Sequence, residues 1–325
     1  MKERILVTGG AGFIGSHLCE YLVAKGHHVV AIDDLSTGKL ENIQNIRNSS
    51  KLQFVRETIL NPQVLDRLTS QADIIIHLAA AVGVKLIVED PVRTINTNIM
   101  GTEAVLTTAN RYGCKVLIAS TSEVYGKGIK VPFHENDDCL IGPTIQSRWA
   151  YATSKAVDEF LGLAYFRQYG LPVVVMRFFN TIGPRQTGQY GMVVPRFVRH
   201  ALQGEPLYVY GDGNQTRCFS DIADVIQAIA CLLENPQAEG EVFNIGSTEE
   251  IRIEDLAKKV IALTKSKSTI EYLPYDEAYA PGFEDMRRRV PSIEKITKLT
   301  GFNPQHSLDE SLKKVIDFER EQTNL

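Results

Sequence analysis

Tyr151 and Lys155 stand four positions apart, which puts a phenol and an ammonium on one helical face. A free phenol titrates near about 10, too high for a base at neutral pH. A neighbouring positive charge favours the phenolate. A phenolate so placed can take the proton of a hydroxyl while hydride leaves the same carbon. Such a pair also arises by chance on a helix surface. What lifts it here is its place, following the hydroxyl-rich stretch Ser120-Thr121-Ser122 and the acid Glu123.

A second constellation opens the chain. The apolar run Arg4–Thr8 reads as a buried strand, and Gly9-Gly10-Ala11-Gly12-Phe13-Ile14-Gly15 follows at once, leading into helical spacing over residues 16–24. Gly9 permits a turn that a Cβ would block. Gly12 lets backbone approach a pyrophosphate, which lies on the amides of a helix N-terminus. Gly15 lets helix and strand pack closely. The spacing is Gly-x-x-Gly-x-x-Gly rather than Gly-x-Gly-x-x-Gly. A second strand, residues 28–32, ends at Asp33, whose carboxylate can accept hydrogen bonds from an adenosine ribose and repel a 2′-phosphate, so NAD is favoured over NADP. The positive nicotinamide of NAD⁺ would then join Lys155 in favouring the Tyr151 phenolate.

These residues need elements to position them. Strands are predicted over residues 52–56, 73–78, 115–119 and 172–178, with helices over 96–111 and 150–169. The alternation implies a doubly wound parallel sheet. Small residues Ala79-Ala80-Ala81 at one strand end leave room at the carboxyl edge, where such sheets bind ligands. A polar loop, residues 127–148, precedes the Tyr151 helix. Past Asn180 the pattern changes: helices over 193–203, 220–235, 254–264 and 308–320, short strands over 207–210 and 241–245, the last able to return to the first sheet. The expected division is residues 1–179 with 217–246 as the dinucleotide-binding domain, and 180–216 with 247–325 as a smaller, discontinuous α/β lobe.

Composition excludes other classes. Hydrophobic residues make up 44% of the 325 and charged residues 23%, ordinary for a globular protein. A net charge of −4 offers no basic field, so no nucleic-acid partner is expected. No apolar run approaches a membrane span, the chain opens on a core strand, and a cytoplasmic location is expected. The five cysteines are scattered without ligand spacing, and no metal is expected.

Together these motifs make the chain resemble the extended short-chain dehydrogenases that modify nucleotide sugars, a Rossmann fold with an appended substrate lobe. The resemblance runs over nearly the whole length, through Gly9, Gly12 and Gly15, Thr121, Tyr151 and Lys155, Arg177-Phe178-Phe179-Asn180, Gly183-Pro184-Arg185, Gln215-Thr216-Arg217 and Arg287-Arg288-Arg289. It implies tight NAD binding, with Phe13, Ile14, Leu78, Ala79, Ala80 and Asn98 also at the cofactor and Lys155 on the nicotinamide ribose. It implies that Thr121 bonds the hydroxyl being oxidised, and that Asn180, Arg185, Val194, Tyr208, Arg217 and Arg289 bind a nucleotide sugar, a UDP-sugar favoured. Guanidinium suits the diphosphate. It also implies a homodimer through a four-helix bundle.

Within the family, Thr121-Ser122-Glu123 resembles UDP-glucuronate decarboxylases and GDP-mannose 4,6-dehydratases; simple 4-epimerases usually carry a small or hydroxyl residue at 123. Ser147-Arg148-Trp149-Ala150-Tyr151 and Asp285 to Ile293 lean toward decarboxylating enzymes making UDP-4-keto-pentose or UDP-apiose/xylose. The implied reaction oxidises C4 of UDP-glucuronate, after which CO₂ leaves, with Glu123, Ser122 or Arg289 assisting protonation at C5. Two departures stand out. Glu57-Thr58-Ile59 replaces an Asp usual near the adenine amine, and Met192 replaces an arginine common in xylose-forming enzymes. The rivals are a 4-epimerase, a 4,6-dehydratase and a non-catalytic NAD-binding regulator.

Overall fold

The computed structural model describes residues 2–82, 90–188, 192–274, 277 and 286–323. Asp285, quoted above within a motif, lies outside them. The chain runs β1 (Arg4–Thr8), α1 (Phe13–Lys25), β2 (His28–Asp33), β3 (Leu52–Arg56), α2 (Pro62–Thr69), β4 (Ile74–His77), α3 (Pro91–Tyr112), β5 (Lys115–Thr121), α4 (Arg148–Tyr169) and β6 (Val173–Phe178). It continues through β7 (Thr181–Ile182), α5 (Val193–Gln203), β8 (Leu207–Tyr210), β9 (Thr216–Cys218), β10 (Ser220–Asp221), α6 (Ile222–Leu233), β11 (Glu241–Ile245), β12 (Glu250–Arg252), α7 (Ile253–Thr264), β13 (Ile270–Leu273), α8 (Glu294–Thr300) and α9 (Leu308–Thr323).

Seven strands form one sheet in the order β11-β6-β5-β4-β1-β2-β3, parallel throughout. The strand order reverses between β1 and β4, so a crevice opens there at the carboxyl edge. The central strands are near-continuous Ile, Leu and Val because both faces are covered. On one face α1 and α6 bury Leu18, Leu22, Ile226 and Ile229 against the sheet. On the other α2 and α3 bury Leu65, Val105 and Leu106. A separate core joins α5, α7 and α9 through Phe197, Leu256 and Leu312.

Local chemistry sets several boundaries away from those expected. α1 begins at Phe13 rather than 16, since the glycine turn feeds straight into the helix. α3 begins at Pro91, with Asp90 capping the Arg93 amide and proline at the first helical position. α2 was not anticipated, although Asn61 caps it ahead of Pro62. β11 does return to the first sheet, beside β6. Residues 293–302, however, do not belong with the lobe as expected. Ile296 and Phe302 pack into the α1–α6 core, and Lys295 reaches Glu241 and the Val242 carbonyl of β11.

Candidate active site

A cleft of about 1710 Å³ runs along the carboxyl edge, from Gly9, Asp33 and Thr58 to Tyr151, Arg217 and Arg289. At one end the glycine turn makes the cradle. Gly9 adopts φ 69°, and a Cβ on Gly15 would lie 2.1 Å from the Gly9 carbonyl oxygen. No side chain caps the first turn of α1, so its leading amides face the cleft for an anion. Asp33 Oδ2 accepts the Ala11 amide at 2.9 Å and Oδ1 accepts the Leu35 amide at 2.8 Å, fixing the carboxylate at the end of β2. Burial pushes this carboxyl up; the backbone amides pull it back. Phe13, Ile14, Leu78, Ala79 and Ala80 line the same end, as do Glu57 and Thr58. This cradle fits a dinucleotide pyrophosphate with its ribose on Asp33.

At the other end α4 delivers Tyr151 and Lys155, both buried and both lining the cleft. Thr121 ends β5; its hydroxyl oxygen accepts the Glu123 amide at 3.2 Å, leaving its proton for the Tyr151 oxygen. Glu123 sits on the 3₁₀ turn Ser122–Tyr125, with Arg289 Nη1 at 3.5 Å and Arg148 Nη2 at 3.7 Å from Oε1. Ser122 lies 3.5 Å from the same Arg289 nitrogen. Arg289 is aimed by its segment, which is pinned on both sides: Phe133 exchanges backbone hydrogen bonds with Val290 and Ser292, and Arg217 Nη1 donates to the Met286 carbonyl at 2.7 Å. Arg287 and Arg288 turn outward to ion pairs with Asp212 and Glu250. Only Arg289 of the three lines the cleft.

The structure corrects several expectations. Burial first, then the charges of Glu123 and Asp158, push the Tyr151 phenol well above its ordinary range, against the opposing pull of Thr121 and Arg289. Lys155 meets Asp158 at 2.6 Å. Asn98 lies behind the wall, accepting the Ala81 amide and donating to Ser154, so it braces the cleft rather than lining it. Tyr208 stacks edge-on against His200 away from the cleft, and Tyr210, two residues along the strand, lines it under the Arg196 guanidinium. Arg185 bonds Ser16 and Glu20 of α1, on the dinucleotide side. Asn180, Val194 and Arg217 line the cleft. Arg148 and Asp158 were not singled out for roles, although one lies three residues before Tyr151 and the other three after Lys155. Among the described residues no group of three or more His, Cys, Asp or Glu is placed to hold a metal ion.

A parallel sheet with a dinucleotide cradle, a Tyr-Lys pair and an arginine-lined lobe defines an NAD-dependent enzyme acting on a nucleotide sugar. Residues 5–246 match the NAD dependent epimerase/dehydratase family, and the chain belongs to it. The chain is 43% identical, over the full length of both, to a UDP-N-acetyl-alpha-D-glucosaminuronate decarboxylase of Bacillus cytotoxicus. It is 37% identical to UDP-glucuronic acid decarboxylase 1 of Danio rerio, over 98% of this chain and 72% of that one. Among solved structures it resembles a UDP-glucuronic acid 4-epimerase from Bacillus cereus in complex with UDP-glucuronic acid and NAD, with 33% identity, a TM-score of 0.87, and 98% and 99% of the two chains covered.

Proposed function

We propose that the protein decarboxylates UDP-glucuronate, by way of oxidation at C4, to UDP-4-keto-pentose or UDP-xylose. The observation that carries this reading is Glu123 held between the guanidinia of Arg148 and Arg289 beside Tyr151. That end of the cleft can hold a sugar carboxylate and return a proton once the carboxylate has gone. Bound in the Gly9–Gly15 cradle, NAD⁺ supplies the acceptor for hydride. Thr121 orients the phenol, and Tyr151 takes the C4 hydroxyl proton. The carbonyl so formed is β to the carboxylate on C5, so the C5–C6 bond breaks, CO₂ leaves, and the electron pair remains as an enolate. Glu123 and Ser122, beside Arg289, return a proton to C5, which leaves the 4-keto-pentose; return of the hydride to C4 would give UDP-xylose. The full-length likeness to the Bacillus cytotoxicus enzyme favours a second sugar for the same reaction, UDP-N-acetylglucosaminuronate.

In this reading the sheet and its helices hold the cofactor, and the α5–α7–α9 lobe holds the nucleotide. Two copies pair through α3 and α4, whose Val92, Ile95, Met100 and Phe160 are exposed, the last by 75%. A measurement of mass in solution tests the pairing. No helix among the described residues is long and apolar enough to cross a membrane. The cytoplasm, where NAD and nucleotide sugars meet, is the proposed location.

The test is to incubate the enzyme with UDP-glucuronate, UDP-N-acetylglucosaminuronate, UDP-glucose, dTDP-glucose and GDP-mannose and weigh the products. Loss of CO₂ from a uronate is expected; unchanged mass means epimerisation, loss of water means dehydration, and either overturns the reading. Tyr151→Phe is expected to lower turnover by about 10²–10⁴-fold with NAD binding retained. Undiminished turnover removes Tyr151 from the chemistry.

A further inference from the structure

Behind Tyr151 and Lys155 runs a line of polar side chains that the reaction does not use. Lys155 Nζ donates to Asp158 Oδ2 at 2.6 Å, and both side chains are sealed from solvent. Residues 151, 155 and 158 share one stripe of α4. Thr102 on α3 faces the Asp158 carboxylate and favours its charged form, while Asp158 Oδ1, buried, has no hydrogen-bond partner among the described residues. His77, at the end of β4, sits with Nε2 3.1 Å from Thr102 Oγ1 and Nδ1 2.8 Å from Thr8 Oγ1. Thr8 Oγ1 in turn accepts the amides of Leu78 at 3.2 Å and Ala79 at 3.1 Å, residues that line the cofactor end of the cleft.

The direction of every bond in this line follows from counting protons. A threonine hydroxyl accepts twice and donates once. The two amides fill Thr8's acceptor positions, so its proton goes to His77 Nδ1. A neutral imidazole accepting at Nδ1 carries its proton on Nε2 and donates it to Thr102. Thr102 then keeps its own proton, free to turn toward Asp158. His77 is neutral because burial, aided by the Lys155 charge, brings it down to about 3. The chain therefore points one way, from the cleft wall to the Asp158 carboxylate, where Lys155 meets it from the other side.

We propose that Asp158 is a positioning residue: faced by the one-way chain Thr8, His77, Thr102 and paired with Lys155 at contact distance, it anchors Lys155 in the cleft wall and thereby fixes where that charge stands relative to Tyr151 and the cofactor ribose. The proposal rests on Tyr151 as the base. Around Tyr151 stand Glu123 and Thr121 from β5 and its following turn, Arg289 from the C-terminal segment, and Arg148, Lys155 and Asp158 from α4 itself. Around Asp158 stand Lys155 and Glu159 on α4, Thr102 on α3 and His77 on β4. Removing the Asp158 charge leaves Lys155 uncompensated and takes away one of the charges that oppose the phenolate.

Asp158→Asn keeps the size and an oxygen facing Thr102, so the packing of the wall stays while the charge goes. The acid limb of kcat against pH is expected to move down by about one unit. NAD affinity, read by quenching of protein fluorescence and independent of turnover, is expected to fall several-fold. An acid limb that stays in place with unchanged NAD affinity overturns the proposal. So does nitrogen NMR of the wild-type protein showing His77 protonated, or with its proton on Nδ1, and that measurement decides the matter even if the variant does not fold. An active Tyr151→Phe enzyme sinks the reading of the base, whereas an inactive one beside an unmoved Asp158→Asn limb sinks this proposal alone.

Discussion

Two carboxylates flank the Tyr151 phenol, and they are held in opposite ways. Asp158 lies in the wall with an ammonium 2.6 Å away and a hydroxyl on its other side. Glu123 faces the cleft with guanidinia at 3.5 and 3.7 Å, beyond good hydrogen-bond distance. Removing one partner of a buried charge pair at contact distance costs about 3–5 kcal/mol. A looser pair at an open cleft rearranges far more cheaply, because water and substrate can take over its partners. The cofactor end of the catalytic helix is thus a fixed part, and the sugar end is an adjustable one. Both carboxylates push the phenol upward, so the base is poised only once the site has filled and its charges are rebalanced.

The sharpest way to break this contrast is Glu123→Gln. If Glu123 belongs to the sugar and not to the cofactor, the variant loses about 10²–10⁴-fold in kcat for lack of a proton donor. Its NAD affinity, by the same fluorescence titration, stays within about twofold of wild type, since a neutral amide disturbs nothing in the Gly9–Gly15 cradle. An equal fall in both quantities would erase the distinction between the two ends. Arg148→Ala is expected to act next most strongly. Removing one charged donor to the substrate carboxylate lowers kcat/KM for UDP-glucuronate by about 10–100-fold, the equivalent of about 1.5–3 kcal/mol. Steady-state kinetics check it, and kcat/KM within twofold of wild type would take Arg148 out of the sugar site.

The fixed end was the more legible of the two in the sequence. The run from Arg4 to Gly15 and the acid at the end of β2 are local patterns, each dictated by one turn or one strand end. Tyr151 and Lys155 are local too, since four residues of helix hold them together. The adjustable end is assembled from three distant pieces, and sequence spacing cannot say which of Arg287, Arg288 and Arg289 turns inward. That depends on the backbone pairing of Phe133 with Val290 and Ser292, a contact across more than 150 residues. Tyr208 and Tyr210 share a strand face, so alternation could not separate them; Arg196 does, by covering Tyr210. The two-stranded pairings of β7, β9 and β12 are too short to show a period. Asp158 kept the helical spacing of a partner for Lys155, yet only the burial of α4 against α3 turns that spacing into a dry ion pair.

The smallest effect probes whether the fixed end is built on a neutral histidine. In the folded protein His77 takes a proton only near pH 3, whereas in the unfolded chain it does so at its ordinary value of 6.5. Below 6.5 the unfolded state therefore binds a proton that the folded state refuses. The stabilisation is complete above 6.5 and is lost as pH falls toward 3, by up to about 1.4 kcal/mol per unit. The carboxyls of Asp33 and Asp158, which burial pushes up, change stability in the opposite sense and mask the slope in wild type alone. Comparison with His77→Gln cancels them. Between pH 6.5 and 5 urea unfolding is expected to show wild type losing about 2 kcal/mol more than the variant. Parallel curves would mean that His77 takes up its proton in the folded state; Thr102 would then have no reason to point at Asp158, and the cofactor end would be no more fixed than the sugar end.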